Sequence, residues 1–437
     1  MKFTSAAVAL AFAVLAAPSA DASPIYHLAR RDNNYGARTD VLIQAFHWNS
    51  WQTAPWYNTI ATNAPQLKGL FTLAWFPPPS DAGSNEGYLP RRWNVLTSKY
   101  GTADQLKAAV QAVKANGLQA VADIVINHRV GSTKWNDYTE PAFADNNAAT
   151  TSDDEVWKQP GYGTPTGHPD TGLPYTAGRD LDFTNPSVQD TVTAWMTNTL
   201  KAVGFTGWRY DFVRGYAPSY VGQFNAKTSP VFSVGELWAD LDVNNPSAHR
   251  NQLLDWVKGT GSNSAAFDFT TKGMLNQAVA SNNYAILAQN NAPVGLIGTA
   301  PGYAVTFVDN HDTGASPGGT GGQKLWQFPV GAEMQGYAYI LTHPGIPSVY
   351  WPHYFDQKMK AAIDPLLKAR KAAGVNSLSH IRIDKAANNV YAAYIAGTVG
   401  SLAVKLGPAD WTPSCPGSAG AYKPVGSGTN WAVWSSV

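Results

Sequence analysis

Residues 118–128 read Leu118-Gln-Ala-Val-Ala-Asp123-Ile-Val-Ile-Asn127-His128. From Leu118 to Ile126 the run is apolar on both faces of an extended chain. A strand with one wet face alternates, whereas one apolar on both faces belongs to a parallel sheet covered by helices. Just ahead, Ala103–Asn116 repeats its apolar residues at helical spacing, and Gly117 stands where a helix end takes a left-handed residue. The strand that follows ends on two polar residues, Asn127 and His128.

The same unit recurs along the chain. Strands are predicted over Val41–Phe46, Gly69–Trp75 (stopped by Pro77-Pro78-Pro79), Gly207–Phe212, Val231–Leu237, Ala265–Phe269, Ala304–Val308 and Pro347–Trp351. A helix is predicted over Pro186–Val203, opened by its proline. With Leu118–Ile126 this makes eight strands separated by helices, the plan of an α/β chain folded as a (β/α)8 TIM barrel. Residues 129–184 break the pattern. They are rich in Asn, Asp, Thr, Gly and Pro, and too long for an ordinary loop. We read them as a small inserted domain after strand 3. The barrel then spans 36–128 and 185–371. From 372 to 437 short alternating runs, Val390–Ile395, Leu402–Leu406 and Trp431–Trp434, predict a C-terminal antiparallel β-sheet domain.

The first residues read as a processing signal. Met1-Lys2 is followed by an apolar stretch over Ala6–Ala17 and a small-x-small Ala20-Asp21-Ala22, which predicts a signal peptide over 1–22 and a secreted, extracellular protein. Arg30-Arg31 offers a dibasic site closing a propeptide over 23–31. Removing residues 1–31 leaves 28 basic and 29 acidic side chains, a net of −1. No basic stripe points to nucleic acid and no polybasic run to a membrane. With a single cysteine, Cys415, no internal disulfide can form. Low charge and 16 tryptophans suit a neutral, hydroxyl-rich ligand, although most such rings serve the core.

Four segments place polar residues at strand ends: Asp123-Ile-Val-Ile-Asn127-His128, Gly207-Trp-Arg209-Tyr-Asp211, Val234-Gly-Glu236-Leu-Trp238 and Phe307-Val-Asp309-Asn-His311-Asp312. In such barrels the chemistry sits at the C-terminal strand ends. Asp211, Glu236 and Asp312 supply the carboxyl groups that cleavage of a glycosidic bond requires. Asp211 is the expected nucleophile. Arg209, two residues earlier on the same strand, shares its face and is expected to keep it ionised and lower its pKa. Alone, that pair would be an ordinary ion pair inside a barrel; Glu236 at the next strand end gives it a partner. Glu236 is the expected general acid and base, its pKa raised by apolar neighbours.

These segments resemble those of the alpha-amylase family of glycoside hydrolases. Asn85-Glu-Gly-Tyr88-Leu-Pro90, Ser98-Lys-Tyr-Gly101 and Ala122–Arg129 are similar to plant alpha-amylases, as are Val404-Lys-Leu-Gly-Pro408 and the ending Trp431-Ala-Val-Trp434. Asp211-Phe-Val-Arg214-Gly215-Tyr-Ala-Pro218 is closer to bacterial maltotetraose-forming amylases. The resemblance spans residues 37–437. It implies that Asp312, His311 and His128 hold sugar hydroxyls, that Tyr88 stacks on the sugar, and that Asp123 is a buried carboxylate supporting Arg209. Arg214 stands where many relatives have lysine, and with Trp238 it faces the leaving-group sugars. The resemblance also implies a Ca2+ ion held by Asn127, Asp180 and the carbonyls of Gly215 and Ala177. Where the plant enzymes place a further aspartate this chain has Pro174, which leaves two expectations: Asp170 or water substitutes, or Ca2+ is held more weakly.

The leading expectation is a secreted, monomeric, endo-acting alpha-amylase. It would hydrolyse α-1,4-glucosidic bonds of starch, glycogen and maltooligosaccharides with retention. The alternatives are an exo-acting maltooligosaccharide-forming enzyme, a transglycosylase sharing the same intermediate, and a non-catalytic starch-binding protein on the same scaffold. The last has no need of all three carboxylates.

Overall fold

The computed structural model describes residues 35–437, apart from 134, 159, 320, 323 and 415–421. The signal peptide and propeptide expected over 1–31 and the lone Cys415 lie outside the described residues.

Eight short parallel strands close a barrel in which each strand pairs with its neighbours in sequence and the last returns to the first. They are β1 (Leu42–Gln44), β2 (Leu73–Trp75), β3 (Gln119–Ile124), β4 (Gly207–Tyr210), β5 (Phe232–Gly235), β6 (Ala265–Phe267), β7 (Ala304–Phe307) and β8 (Ile346–Tyr350). The first seven lie inside their predicted runs and are one to several residues shorter, while β8 matches the length of its predicted run but begins one residue earlier, at Ile346. Helices follow the strands: α1 (Trp56–Leu67), α2 (Ala103–Ala115), α3 (Pro186–Ala194), α4 (Pro218–Thr228), α5 (Pro246–Gly259), α6 (Phe269–Ser281), α7 (Glu333–Thr342) and α8 (Lys360–Ala373). Thr102 caps α2 in a capping box with Gln105, satisfying two backbone N–H groups at its start. The helix predicted over Pro186–Val203 is not regular throughout. A π-turn over Trp195–Leu200 follows α3, and the chain leaves it through Gly204 at φ +115°.

Residues 129–184 carry little regular structure. A two-residue antiparallel ladder pairs His128–Arg129 with Arg179–Asp180, so the excursion leaves and returns beside the end of β3. A single turn of helix covers Glu155–Lys158.

The C-terminal sheet has five antiparallel strands: β9 (His380–Ala387), β10 (Val390–Ala396), β11 (Ser401–Leu406), β12 (Lys423–Gly428) and β13 (Trp431–Ser435). Their spatial order is β9-β10-β11-β13-β12, so the two strands absent from the sequence reading are the two edges. Lys423-Pro-Val-Gly-Ser-Gly428 violates strand propensity at three positions, and edges are where proline and glycine are tolerated. The sheet packs against α7 and α8. Trp431 is buried in it, whereas Trp434 on the same strand is half-exposed.

Candidate active site

Strand register assembles the site. Asp123 on β3 pairs with Arg209 on β4, and Arg209 pairs with Val234 on β5. Past the last ladder pair, Tyr210 with Gly235, the Asp211 N–H donates to the Ile124 carbonyl and the Glu236 N–H to the Tyr210 carbonyl, both at 3.0 Å. Asp211 and Glu236 therefore each stand one residue beyond adjacent strands. A Cβ on Gly235 would meet the Trp256 ring at 2.2 Å, so the position before Glu236 admits only glycine. Phe212 turns the chain sharply away with a left-handed backbone, φ +44°, at a cost of about 1–3 kcal/mol. Its N–H points to Glu236 Oε2 at 3.3 Å, which helps to hold that turn.

Arg209 is the hub. Its fully buried Nη1 donates to Asp123 Oδ1 and Asp211 Oδ1, each at 2.8 Å, and its Nη2 lies 2.8 Å from Glu236 Oε2. The guanidinium also lies 4.8 Å over the Trp75 ring. Asp123 is completed by the Trp75 indole at 3.1 Å and the Tyr88 hydroxyl at 2.9 Å, which is the supporting place expected for it.

One cation faces three buried carboxyl groups. Burial, the largest influence, pushes Asp211 up despite the pull of Arg209, with the charges of Asp123 and Asp312 adding to the rise. The expectation that Arg209 would leave Asp211 below the ordinary range is therefore corrected: desolvation outweighs the pairing. Glu236 is likewise pushed up, first by burial, against Arg209, with Asp211 raising it further. Such a pair holds one proton between its members near neutral pH. Asp211 accepts an aligned hydrogen bond from Arg209, while Glu236 is raised further by a side-chain hydrogen bond with Asp211, which needs a proton on Glu236. The proton therefore belongs on Glu236.

The opposite wall comes from β7. His311 Nδ1 lies 2.9 Å from the Gln44 amide nitrogen and its Nε2 lies 3.4 Å from Asp312 Oδ2. Burial, with Arg209 adding, holds His311 well below its usual pKa, so it is neutral. With the amide as donor, Nδ1 accepts and Nε2 carries the proton. Tyr88 lies parallel to His311 at 5.0 Å and to Trp48 at 6.1 Å, forming an aromatic side to the cleft. The cleft holds about 490 Å³, and Asp211, Glu236, Asp312, His311, Arg214 and Trp238 all line it. Arg214 donates from Nη1 to the Trp238 carbonyl at 3.0 Å.

His128 is not brought to this cleft. It is fully buried, its Nε2 lies 2.8 Å from the Tyr88 carbonyl, and Tyr175 stacks on it at 3.8 Å. The ring facing the cleft at this place is Tyr175. Trp48, Tyr175, Phe212 and Trp326 are cleft residues that the sequence reading passed over. Trp48 carried a usable signal, since it stands just past β1 as Asn127 does past β3. Tyr175 and Trp326 come from irregular segments without one.

A second group of carboxylates lies where the inserted segment meets the barrel. Ligand atoms of Asp154, Glu155 and Asp180 all fall within 4.8 Å of one another. Asp180 is pushed up to about 9, by burial first and then by Asp170, Glu155 and Asp154. Asp170 is pushed up to about 6, mainly by burial. Glu155 Oε1 and Asp170 Oδ2 are buried without hydrogen-bond partners, and Arg179 pairs with Asp154 at 2.6 Å. An all-oxygen set with orphaned, mutually repelling carboxylates fits a hard divalent cation. Asn127 reaches this group, but its amide nitrogen donates to Asp180 Oδ1 at 2.9 Å. Its oxygen faces the Gly215 backbone, where a Cβ would come within 2.0 Å. Ligation through that oxygen, as the resemblance implies, requires the amide to turn over. Ala177 lies exposed in the turn that leads into Arg179–Asp180, and Pro174 is exposed. Asp154 and Glu155 were not foreseen as members.

Buried carboxyls on one guanidinium, at the strand ends of an eight-stranded barrel, define the chemistry of a glycoside hydrolase. The chain matches the alpha-amylase C-terminal beta-sheet domain family over residues 372–435. It is 36% identical to the probable alpha-amylase 2 of Arabidopsis thaliana, covering 90% of this chain and 94% of that one. It is 31% identical to the glucan 1,4-alpha-maltotetraohydrolase of Stutzerimonas stutzeri, covering 85% of this chain and 69% of that one. Among solved structures, an Anoxybacillus alpha-amylase superposes with a TM-score of 0.65 at 13% identity, covering 91% of this chain and 97% of that one. The chain belongs to the alpha-amylase family and is a glycoside hydrolase.

Proposed function

We propose that this protein is a secreted, endo-acting alpha-amylase that hydrolyses α-1,4-glucosidic bonds of starch, glycogen and maltooligosaccharides with retention of configuration. The observation that carries the reading is the pairing of Asp211 and Glu236 on one buried guanidinium. That geometry favours two closely spaced carboxyls over the wider gap an inverting enzyme needs for its water. Asp211 attacks the anomeric carbon as the bond to the leaving oxygen breaks. That oxygen takes the electron pair and the proton of Glu236. Water then gives a proton to Glu236 and attacks the same carbon, releasing Asp211. Asp312 and neutral His311 bind hydroxyls of the distorted sugar, and Tyr88 offers its face. Arg209 positions the carboxyls rather than touching sugar.

Residues 1–22 would direct secretion, and 23–31 would be removed as a propeptide. Residues 129–184 would act as an inserted domain and 372–437 as the C-terminal domain. No helix among the described residues is long and apolar enough to cross a membrane. We expect a monomer that binds neither nucleic acid nor membrane. An exo-acting mode has one supporting observation, the similarity to a maltotetraohydrolase. A product time course on long amylose separates the two. Internal cleavage gives a rapid fall in chain length with mixed maltooligosaccharides. One dominant short product with the polymer persisting favours exo action. Bound but uncleaved amylose would leave only a starch-binding protein.

Ca2+ would be held by Asp180, Asp154, Glu155 and Asp170, with Asn127 and the Gly215 and Ala177 carbonyls as further oxygens. It would neutralise the repelling carboxylates and fasten the inserted segment to the barrel. Chelation should lower the melting temperature by several degrees, on the scale of about 1–3 kcal/mol, and added Ca2+ should restore it. A melting curve indifferent to both chelator and Ca2+ would remove the metal from this reading.

A further inference from the structure

Asp309 opens the Asp309-Asn-His311-Asp312 segment, yet it does not line the cleft. Its carboxylate is buried and receives Lys272 Nζ at 2.7 Å and the Thr313 hydroxyl at 2.8 Å. The Phe328 N–H approaches the same carboxylate at 3.3 Å. Lys272, on α6, is also fully buried, and its other two donor contacts go to the Trp326 carbonyl at 2.6 Å and Asn276 Oδ1 at 3.1 Å. The three N–H groups of one ammonium are thus satisfied. Asn276 in turn donates to the Trp326 and Gln327 carbonyls. Two side chains of one helix therefore grip the backbone at Trp326–Gln327.

The gripped loop is strained and faces the cleft. Lys324 and Trp326 both hold left-handed backbones, φ +54° and +61°, which non-glycine residues adopt only when their surroundings impose it. The Lys324 N–H donates to the Asp312 carbonyl at 2.8 Å, tying the loop to the site. Leu325 and Trp326 line the cleft, and the Trp326 ring stands 6.1 Å from Trp238 at 76°.

We propose that the Lys272–Asp309 ion pair is a positioning device which locks Trp326 opposite Trp238, and that Trp326 sets which glucosyl unit of an α-glucan the cleft grips beside the scissile bond. This rests on the amylase reading above. Lys272 touches no substrate; it acts through the loop it holds. A buried pair satisfied on every proton is rigid, and removing one member leaves a strained loop without its anchor.

End-labelled maltoheptaose tests this through KM, kcat and the frequency of cleavage at each bond. Trp326→Ala should raise KM about tenfold and move the favoured scissile bond, by loss of one aromatic contact. Lys272→Met should shift the cleavage pattern in the same direction, and the double variant should show no more than Trp326→Ala alone. Lys272→Met that lowers the melting temperature but keeps the wild-type pattern overturns the proposal, as do effects that multiply in the double variant. If Lys272→Met does not fold, Asn276→Ala removes the second grip on the loop and one Lys272 partner but keeps the Lys272–Asp309 pair, and must shift the pattern likewise; an unchanged pattern overturns the proposal. Wild type that leaves maltoheptaose intact would fail the amylase reading itself and take this inference with it.

Discussion

Glu236→Gln should reduce kcat on amylose by about 10²–10⁴-fold, the contribution of a positioned acid and base, while maltooligosaccharide affinity stays within a few-fold. The substitution preserves shape and removes the transferable proton. It also leaves Arg209 facing Asp123 and Asp211 alone, so the nucleophile keeps its cation and its place. The loss should depend on the leaving group. An α-maltosyl fluoride expels fluoride without a proton, so its first step should be far less impaired than cleavage of a sugar–sugar bond. Binding by calorimetry and turnover of the two substrates read these effects separately. Turnover of amylose near the wild-type rate would sink the assignment of Glu236, and an initial burst of fluoride release slowed as much as amylose cleavage would sink its role as acid, since the second step is common to both substrates.

The barrel was legible because its strands carry a two-sided apolar signal that only a covered parallel sheet requires. Asp211, Glu236 and Asp312 were legible because each interrupts or ends such a run. What escaped has physical reasons. The edge strands His380–Ala387 and Lys423–Gly428 bury little, so composition hardly constrains them. Tyr175 and Trp326 reach the cleft from irregular backbone, where no period reports direction. His128 sits beside a strand end as the others do, but the inserted segment folds Tyr175 over it, a contact between residues 47 positions apart that no local pattern encodes. The sign of the Asp211 shift was misjudged for a related reason: an arginine two residues away is visible in sequence, whereas near-complete burial among other carboxyls is not.

Arg209→Leu should be the most damaging single change in the molecule. It strands Asp123, Asp211 and Glu236 in a buried site without a cation, and removing one partner of a buried ion cluster costs about 3–5 kcal/mol. The direction with pH follows from linkage. All three carboxyls are already raised in the folded wild type, chiefly by burial, so the native state binds more protons than the unfolded chain and stability declines as pH rises through the folded values. Deleting Arg209 raises those values further. The variant should therefore lose less against wild type at pH 5, where its carboxyls are protonated, than at pH 8, where they are driven to ionise. Melting temperatures across that range measure this, and an equal or larger loss at pH 5 would contradict it. Activity should fall by more than about 10²-fold at neutral pH, because a protonated Asp211 is no nucleophile. Arg209→Lys separates charge from geometry. An ammonium keeps one positive charge in the site but cannot span Asp211 and Glu236 as Nη1 and Nη2 do. It should recover much of the stability at pH 8 and little of kcat.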